Sequence, residues 1–168
     1  VDLLGPATEV ANSLMGIPSF DTPDFSALFS EEKLMISKLK KTFLMVAGAA
    51  LQKYGPDIEN HQQLLIAASD ILIEIYMAES AILRTEKNAK RFGEDSQSVQ
   101  IALSKLYLYH AVEIIEKKGK ESIISFAEGD EQRMMLMGLK RFTKYVNYPD
   151  IVDLRNEIAE KVKAEKPE

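Results

Sequence analysis

One uninterrupted helical pattern dominates the chain. It runs from about Asp57 to Phe92, with Gly55-Pro56 as a stop signal before it and Gly93 where the residue just past a helix end belongs. At 1.5 Å per residue such a helix is roughly 50 Å long. Acids crowd its first half (Asp57, Glu59, Asp70, Glu74, Glu79) and bases its end (Arg84, Lys87, Lys90, Arg91), which suits the helix dipole at both ends. In a chain of 168 residues, one helix of this length leaves room for a single domain of helices packed alongside it.

The flanking segments read the same way. A first helix begins at Ser30, a good N-cap followed by Glu31 and Glu32, and sets Leu39, Phe43, Val46, Ala50 and Tyr54 on one face. Ala47-Gly48-Ala49-Ala50 makes a patch almost free of side chain, where another helix can approach closely. A third helix starts near Asp95 or Ser96 and carries two apolar stripes. Val99, Leu103, Leu106, His110 and Ile114 form one; Ile101, Leu108, Val112 and Ile115 lie roughly opposite. Gly119 is expected to end or bend that helix, with one more turn over Ser122 to Ala127. Asp130 caps a fourth helix with Met135, Leu139, Phe142 and Val146 inside, and Asn147-Tyr148-Pro149 breaks it. A fifth, from Pro149 to about Glu165, carries Ile151, Leu154, Ile158 and Val162. No segment alternates with the period of a strand. The fold class is therefore all-α: an up-down antiparallel bundle of four main helices plus a C-terminal helix.

Residues 1–30 differ from the rest. They hold Pro6, Pro18 and Pro23, and acids but no Lys or Arg. Thr8 to Met15 fits one short helix, and Gly16 to Ser30 reads as extended linker. The division is an N-terminal arm over 1–30 and a helical bundle domain over 31–168. Phe20, Phe25, Leu28 and Phe29 fit packing, either on the chain's own bundle or on something N-terminal to it. Beginning at Val1, the chain reads as a processed protein or a piece of a longer one.

Composition removes several function classes. With no cysteine there is no thiol nucleophile, zinc ribbon, iron–sulfur ligation or disulfide scaffold. A net charge of −5 argues against general nucleic-acid binding. A carboxylate-bridged di-iron bundle needs two Glu-x-x-His pairs, but His61 and His110 are preceded at that spacing by Ile58 and Tyr107. There is no Gly-rich phosphate loop and no G-x-S-x-G elbow. Catalytic, cofactor-binding and metal-ligating residues are accordingly expected to be none in this chain.

Two features invite a function. On the second helix Ala68, Ile71, Leu72, Ile75 and Ile82 cluster on one side, and Glu79 is expected at the centre of that side, about one turn from Ile75 and Ile82. A carboxylate there must be paired or reach water. His110 is the candidate partner for a buried polar pair, with Tyr107, Lys105 and Arg141 as alternatives. The pair is either an acid–base site or a contact that fixes helix register. Asp70, Glu74 and Arg84 share the opposite side as a surface ion cluster. The other feature is the second stripe of the third helix, since a bundle helix needs only one apolar face. Ile101, Leu108, Val112 and Ile115 are thus a candidate docking face, covered by the Phe20–Phe29 arm and the fifth helix, by a second copy, or by another protein. Met134, Met135 and Met137 suit the core or an adaptable surface.

The segments Phe43-Leu-Met-Val-Ala-Gly-Ala-Ala-Leu-Gln-Lys-Tyr-Gly55 and Ala67-Ala-Ser-Asp-Ile-Leu-Ile-Glu-Ile-Tyr-Met-Ala-Glu-Ser-Ala-Ile-Leu-Arg-Thr-Glu-Lys87 resemble the extra C-terminal domain of the very-long-chain type of acyl-CoA dehydrogenase, in its bacterial relatives above all. The likeness covers about residues 30 to 165 and lies in helix lengths, order and side-chain character, not in a short motif. It implies a parent flavoprotein oxidoreductase of fatty acid metabolism, whose FAD-bearing core takes a proton and a hydride from an acyl-CoA. None of that core's catalytic or flavin-binding residues can be carried over, and neither Glu74 nor Glu79 stands in for its base. The resemblance implies a non-catalytic domain that docks on and stabilises the missing N-terminal catalytic core, in the bacterial cytoplasm, with a second subunit as a further partner. Membrane contact has no residue pattern to support it. The rival reading is a free-standing helical protein-interaction module; a third, a small-ligand bundle, rests only on Glu79 and His110.

Overall fold

A computed structural model describes residues 5–6, 8–10 and 26–164. Among these residues there is no strand. The helices are α1 (Ser30–Tyr54), α2 (Gln62–Phe92), α3 (Ser98–Phe126), α4 (Gly129–Thr143) and α5 (Ile151–Ala164), with 3₁₀ turns at Gly55–Asn60 and Asp95–Gln97. The fold is the expected all-α up-down bundle. Helix α3 is its axis, packing against α1, α2, α4 and α5.

Two apolar clusters hold the bundle together. The first joins Met35, Ile36 and Leu39 of α1, Ile71, Ile75 and Ile82 of α2, and Leu108, Val112 and Ile115 of α3. The second joins Met45 and Val46 of α1, Ile123 and Phe126 of α3, and Met135, Leu139 and Phe142 of α4. Fully burying side chains of this kind stabilises by about 1.5–3 kcal/mol each. From the arm, Phe29 is buried and Leu28 packs beside it. Residues 8–10 are helical; the rest of the Thr8–Met15 helix, Phe20 and Phe25 lie outside the described residues.

Several boundaries differ from expectation, each for a local reason. The second helix starts at Gln62 because Pro56 opens a separate 3₁₀ turn, closed at His61 by its bond to the Ile58 carbonyl. Phe29, at φ 63, is the N-cap of α1, and Ser30 is the first helical residue, its hydroxyl donating to the Ala27 carbonyl at 2.7 Å. Gly119 does not end α3, which continues through it to Phe126. This glycine lets α3 and α4 approach, since a Cβ there would lie 2.9 Å from Cδ1 of Leu139. Gly129 opens α4 in place of Asp130, whose carboxylate bonds Arg133. That helix stops at Thr143, so Val146 is exposed beyond it. Asp150 starts α5 by accepting the backbone N–H groups of Val152 and Asp153, both at 3.0 Å. Ile151, Leu154 and Ile158 of α5 are half-buried, and Val162 is exposed.

Candidate functional site

The residues singled out from sequence do not form one site. Glu79 accepts a 2.6 Å hydrogen bond from Nζ of Lys40 on α1, and its side chain is 36% exposed. His110 is exposed on α3 with its ring edge-on to Tyr109. The expected buried Glu79–His110 pair is therefore replaced by a peripheral Glu79–Lys40 pair. The reason is angular. The buried stripe of α2 is Ile71, Ile75, Ala78 and Ile82, and at 100° per residue Glu79 lies roughly 70° from its centre. Leu72, apolar but half exposed, lies on the Glu79 side of that stripe and makes the apolar face look wider than its buried part.

Of the alternative partners, Tyr107 and Lys105 are engaged elsewhere, and Arg141 is exposed on α4. The Tyr107 hydroxyl donates to Oε2 of Glu74 at 2.9 Å. Burial first, and then Glu74, pushes its pKa up to about 12. Lys105 lies 3.5 Å from Glu32, and Lys118 lies 2.9 Å from Asp70. The Asp70–Glu74–Arg84 cluster thus gives two of its members to α3. The register-fixing polar contact does exist, but between Thr85 and Ser104, whose hydroxyls meet at 3.0 Å between α2 and α3.

The two stripes of α3 also change places. Leu108, Val112 and Ile115 are buried and Ile101 is half-buried, so the candidate docking face is internal. Its cover comes from α1, α2, Phe29 and Tyr145, while α5 also packs on α3. The stripe expected inside faces outward: Leu103, His110 and Ile114 are exposed, and Val99 and Leu106 are half-buried. Beside it an open cavity of about 350 Å³ is lined by Ala81 of α2 and by Leu103, Ser104, Leu106, Tyr107 and His110 of α3. Leu65, Ile66, Leu72, Ile73, Tyr76, Met77 and Leu83 of α2 are exposed as well. Of the methionines of α4, Met135 is buried while Met134 and Met137 are exposed.

This surface can receive apolar side chains. The cavity lining has no Lys or Arg to meet a pyrophosphate, so it does not fit FAD. Among the described residues no three of His, Asp and Glu are grouped as metal ligands. No helix among them is long and apolar enough to cross a membrane.

Comparison with known proteins places these features in a larger frame. Residues 38–141 match the family model described as "Acyl-CoA dehydrogenase, C-terminal domain". A probable acyl-CoA dehydrogenase of Bacillus subtilis (strain 168) is 35% identical over 134 residues. That match covers 80% of this chain and 22% of the relative, so the chain spans about a fifth of its relative's length. A crystal structure of acyl-CoA dehydrogenase complexed with FAD from Bacillus anthracis superimposes with a TM-score of 0.87 at 31% identity. It covers 97% of this chain and 27% of that one.

Proposed function

The chain belongs to the family of acyl-CoA dehydrogenase C-terminal domains, and from that premise we propose that it serves as a non-catalytic domain that docks on and stabilises the catalytic portion of a larger enzyme. The observation that carries this reading is the outward stripe of α3 with its adjoining cavity. The bundle's own core is already filled by Leu108, Val112 and Ile115 on the opposite side of the helix. Leu103, Leu106 and Ile114 therefore contribute nothing to that core, and an apolar stripe bordering an open cavity suits the side chains of a partner surface.

The partner is the flavin-bearing core, which would perform the dehydrogenation of a long-chain fatty acyl-CoA. FAD would belong to that core; the related acyl-CoA dehydrogenase was crystallised in complex with FAD. The arm over 1–30 would lead to the core, and residues 31–168 would form the docked domain. The cytoplasm of a bacterium is the proposed location. A free-standing interaction module would expose the same stripe, and the parent gene separates the two readings.

The experiment compares the full-length gene product with a version ending at residue 30 of this chain. Both should bind flavin, and the truncated protein should melt several degrees lower or lose its assembly. Equal thermal stability, or no coding sequence for a catalytic portion upstream of Val1, would contradict the proposal.

A further inference from the structure

The chain is pinned to the bundle as far as Asn147 and held by little beyond it. Nζ of Lys38 on α1 donates to the Lys144 carbonyl at 3.0 Å. Tyr145 is buried in the first apolar cluster. Oε1 of Glu31 on α1 accepts the backbone N–H of Asn147 at 2.5 Å. After these ties Tyr148 is exposed, Pro149 has no N–H to give, and α5 begins at Ile151.

Among the described residues, α5 is the one α-helix of the bundle with no buried residue. By contrast α4, of nearly equal length, buries Met135, Gly138, Leu139, Phe142 and Thr143. The apolar stripe of α5 is Ile151, Leu154 and Ile158, each only half-buried. Of the other helices only α3 packs extensively against it. Among the described residues no α5 side chain forms an ion pair. The N–H groups of its first turn are satisfied by Asp150, a cap that can move with the helix.

Leaving α3 therefore costs α5 three partial apolar contacts and no polar partner. A free helix of 14 residues is marginal in water, so a detached α5 also unwinds. An element with so few buried contacts opens far more often than the whole domain unfolds. We propose that α5 is a detachable latch: residues 148–164 leave α3 as one unit, hinged at Tyr148–Asp150, while α1 to α4 stay folded. Opening uncovers the strip of α3 beneath Ile151, Leu154 and Ile158, so the surface of the domain changes while its core does not.

Hydrogen exchange of the intact chain, resolved by residue in NMR, tests this. Amides of residues 155–161 should be protected at least about a hundredfold less than those of Ile75 and Leu108. Their protection should be nearly equal from one residue to the next, because the unit opens whole; fraying would instead give a gradient toward the C-terminal end. Leu154→Asp should erase the protection that α5 has and leave that of Ile75 and Leu108 within about threefold of the wild-type value. The proposal is overturned if α5 is as protected as Leu108, or if its protection falls off smoothly from residue 155 to 161. It is equally overturned if Leu154→Asp unfolds the chain or speeds exchange at Ile75 and Leu108 as much as in α5.

Discussion

Thr85 of α2 and Ser104 of α3 share a buried hydrogen bond of 3.0 Å in which Thr85 is the donor. The direction follows because Ser104 already donates its one hydroxyl hydrogen to the Gln100 carbonyl at 2.7 Å. This contact fixes how α2 lies along α3, and it makes an asymmetry measurable. Ser104→Ala strands the Thr85 hydroxyl in the interior and should cost about 1–3 kcal/mol. Thr85→Val removes the polar group with little change of shape and should cost about 1 kcal/mol or less. The double variant should fall below the sum of the two in urea unfolding, since neither hydroxyl is then left unpaired.

The Glu79–Lys40 pair predicts the opposite kind of result. Both side chains are partly in water, so Glu79→Ala should cost at most about 1 kcal/mol, and less at high salt. Leu108→Ala, at a fully buried position of the same bundle, should cost about 2–5 kcal/mol. A Glu79→Ala loss as large as that of Leu108→Ala would mean that the carboxylate is buried after all.

Gly119→Ala sets two effects against each other. Alanine favours an interior helical position over glycine by about 1 kcal/mol. The added Cβ would press on Leu139, itself buried, and overpacking costs about 1–3 kcal/mol. The net expectation is a loss of about 1 kcal/mol. Adding Leu139→Ala should erase the clash, so the two changes should be less than additive in a double-mutant cycle.

Tyr107 gives the fold an alkaline limit. Its phenol ionises at about 12 in the folded chain, against about 10 when unfolded. Between those values the folded state retains a proton that the unfolded state has lost, so stability is full below pH about 10 and falls as pH rises toward 12. Tyr107→Phe should flatten part of that fall; burial of Tyr145 pushes its phenol the same way and accounts for another part. Urea unfolding at successive pH values, with tyrosinate absorbance followed in parallel, checks it.

The helices were legible in the sequence where Gly and Pro punctuate them, as at Gly55-Pro56 and Gly93. The orientation of α3 was harder to read. Periodicity locates an apolar stripe but does not say what covers it, and this helix has two. A clue was present: His110, Lys117 and Glu121 share the outward stripe, whereas Ala111 and Gly119 lie toward the buried side. Glu79 reads as inner from the sequence because Leu72 does, and an exposed apolar residue looks the same in a sequence as a buried one. The Thr85–Ser104 contact left no signal, since isolated hydroxyls on long helices are ordinary. The family relationship was legible because it rests on the order and character of whole helices.

The central claim, that this bundle docks on a catalytic core through the outward stripe of α3, is tested most directly by expressing the upstream catalytic portion and this chain separately and titrating one with the other by calorimetry. The account predicts saturable one-to-one binding that Leu103→Glu weakens by about thirtyfold or more, while Leu72→Glu, at a half-exposed position of α2, leaves it close to the wild-type value. Absence of binding, or binding that Leu103→Glu leaves intact and Leu72→Glu removes, would contradict it.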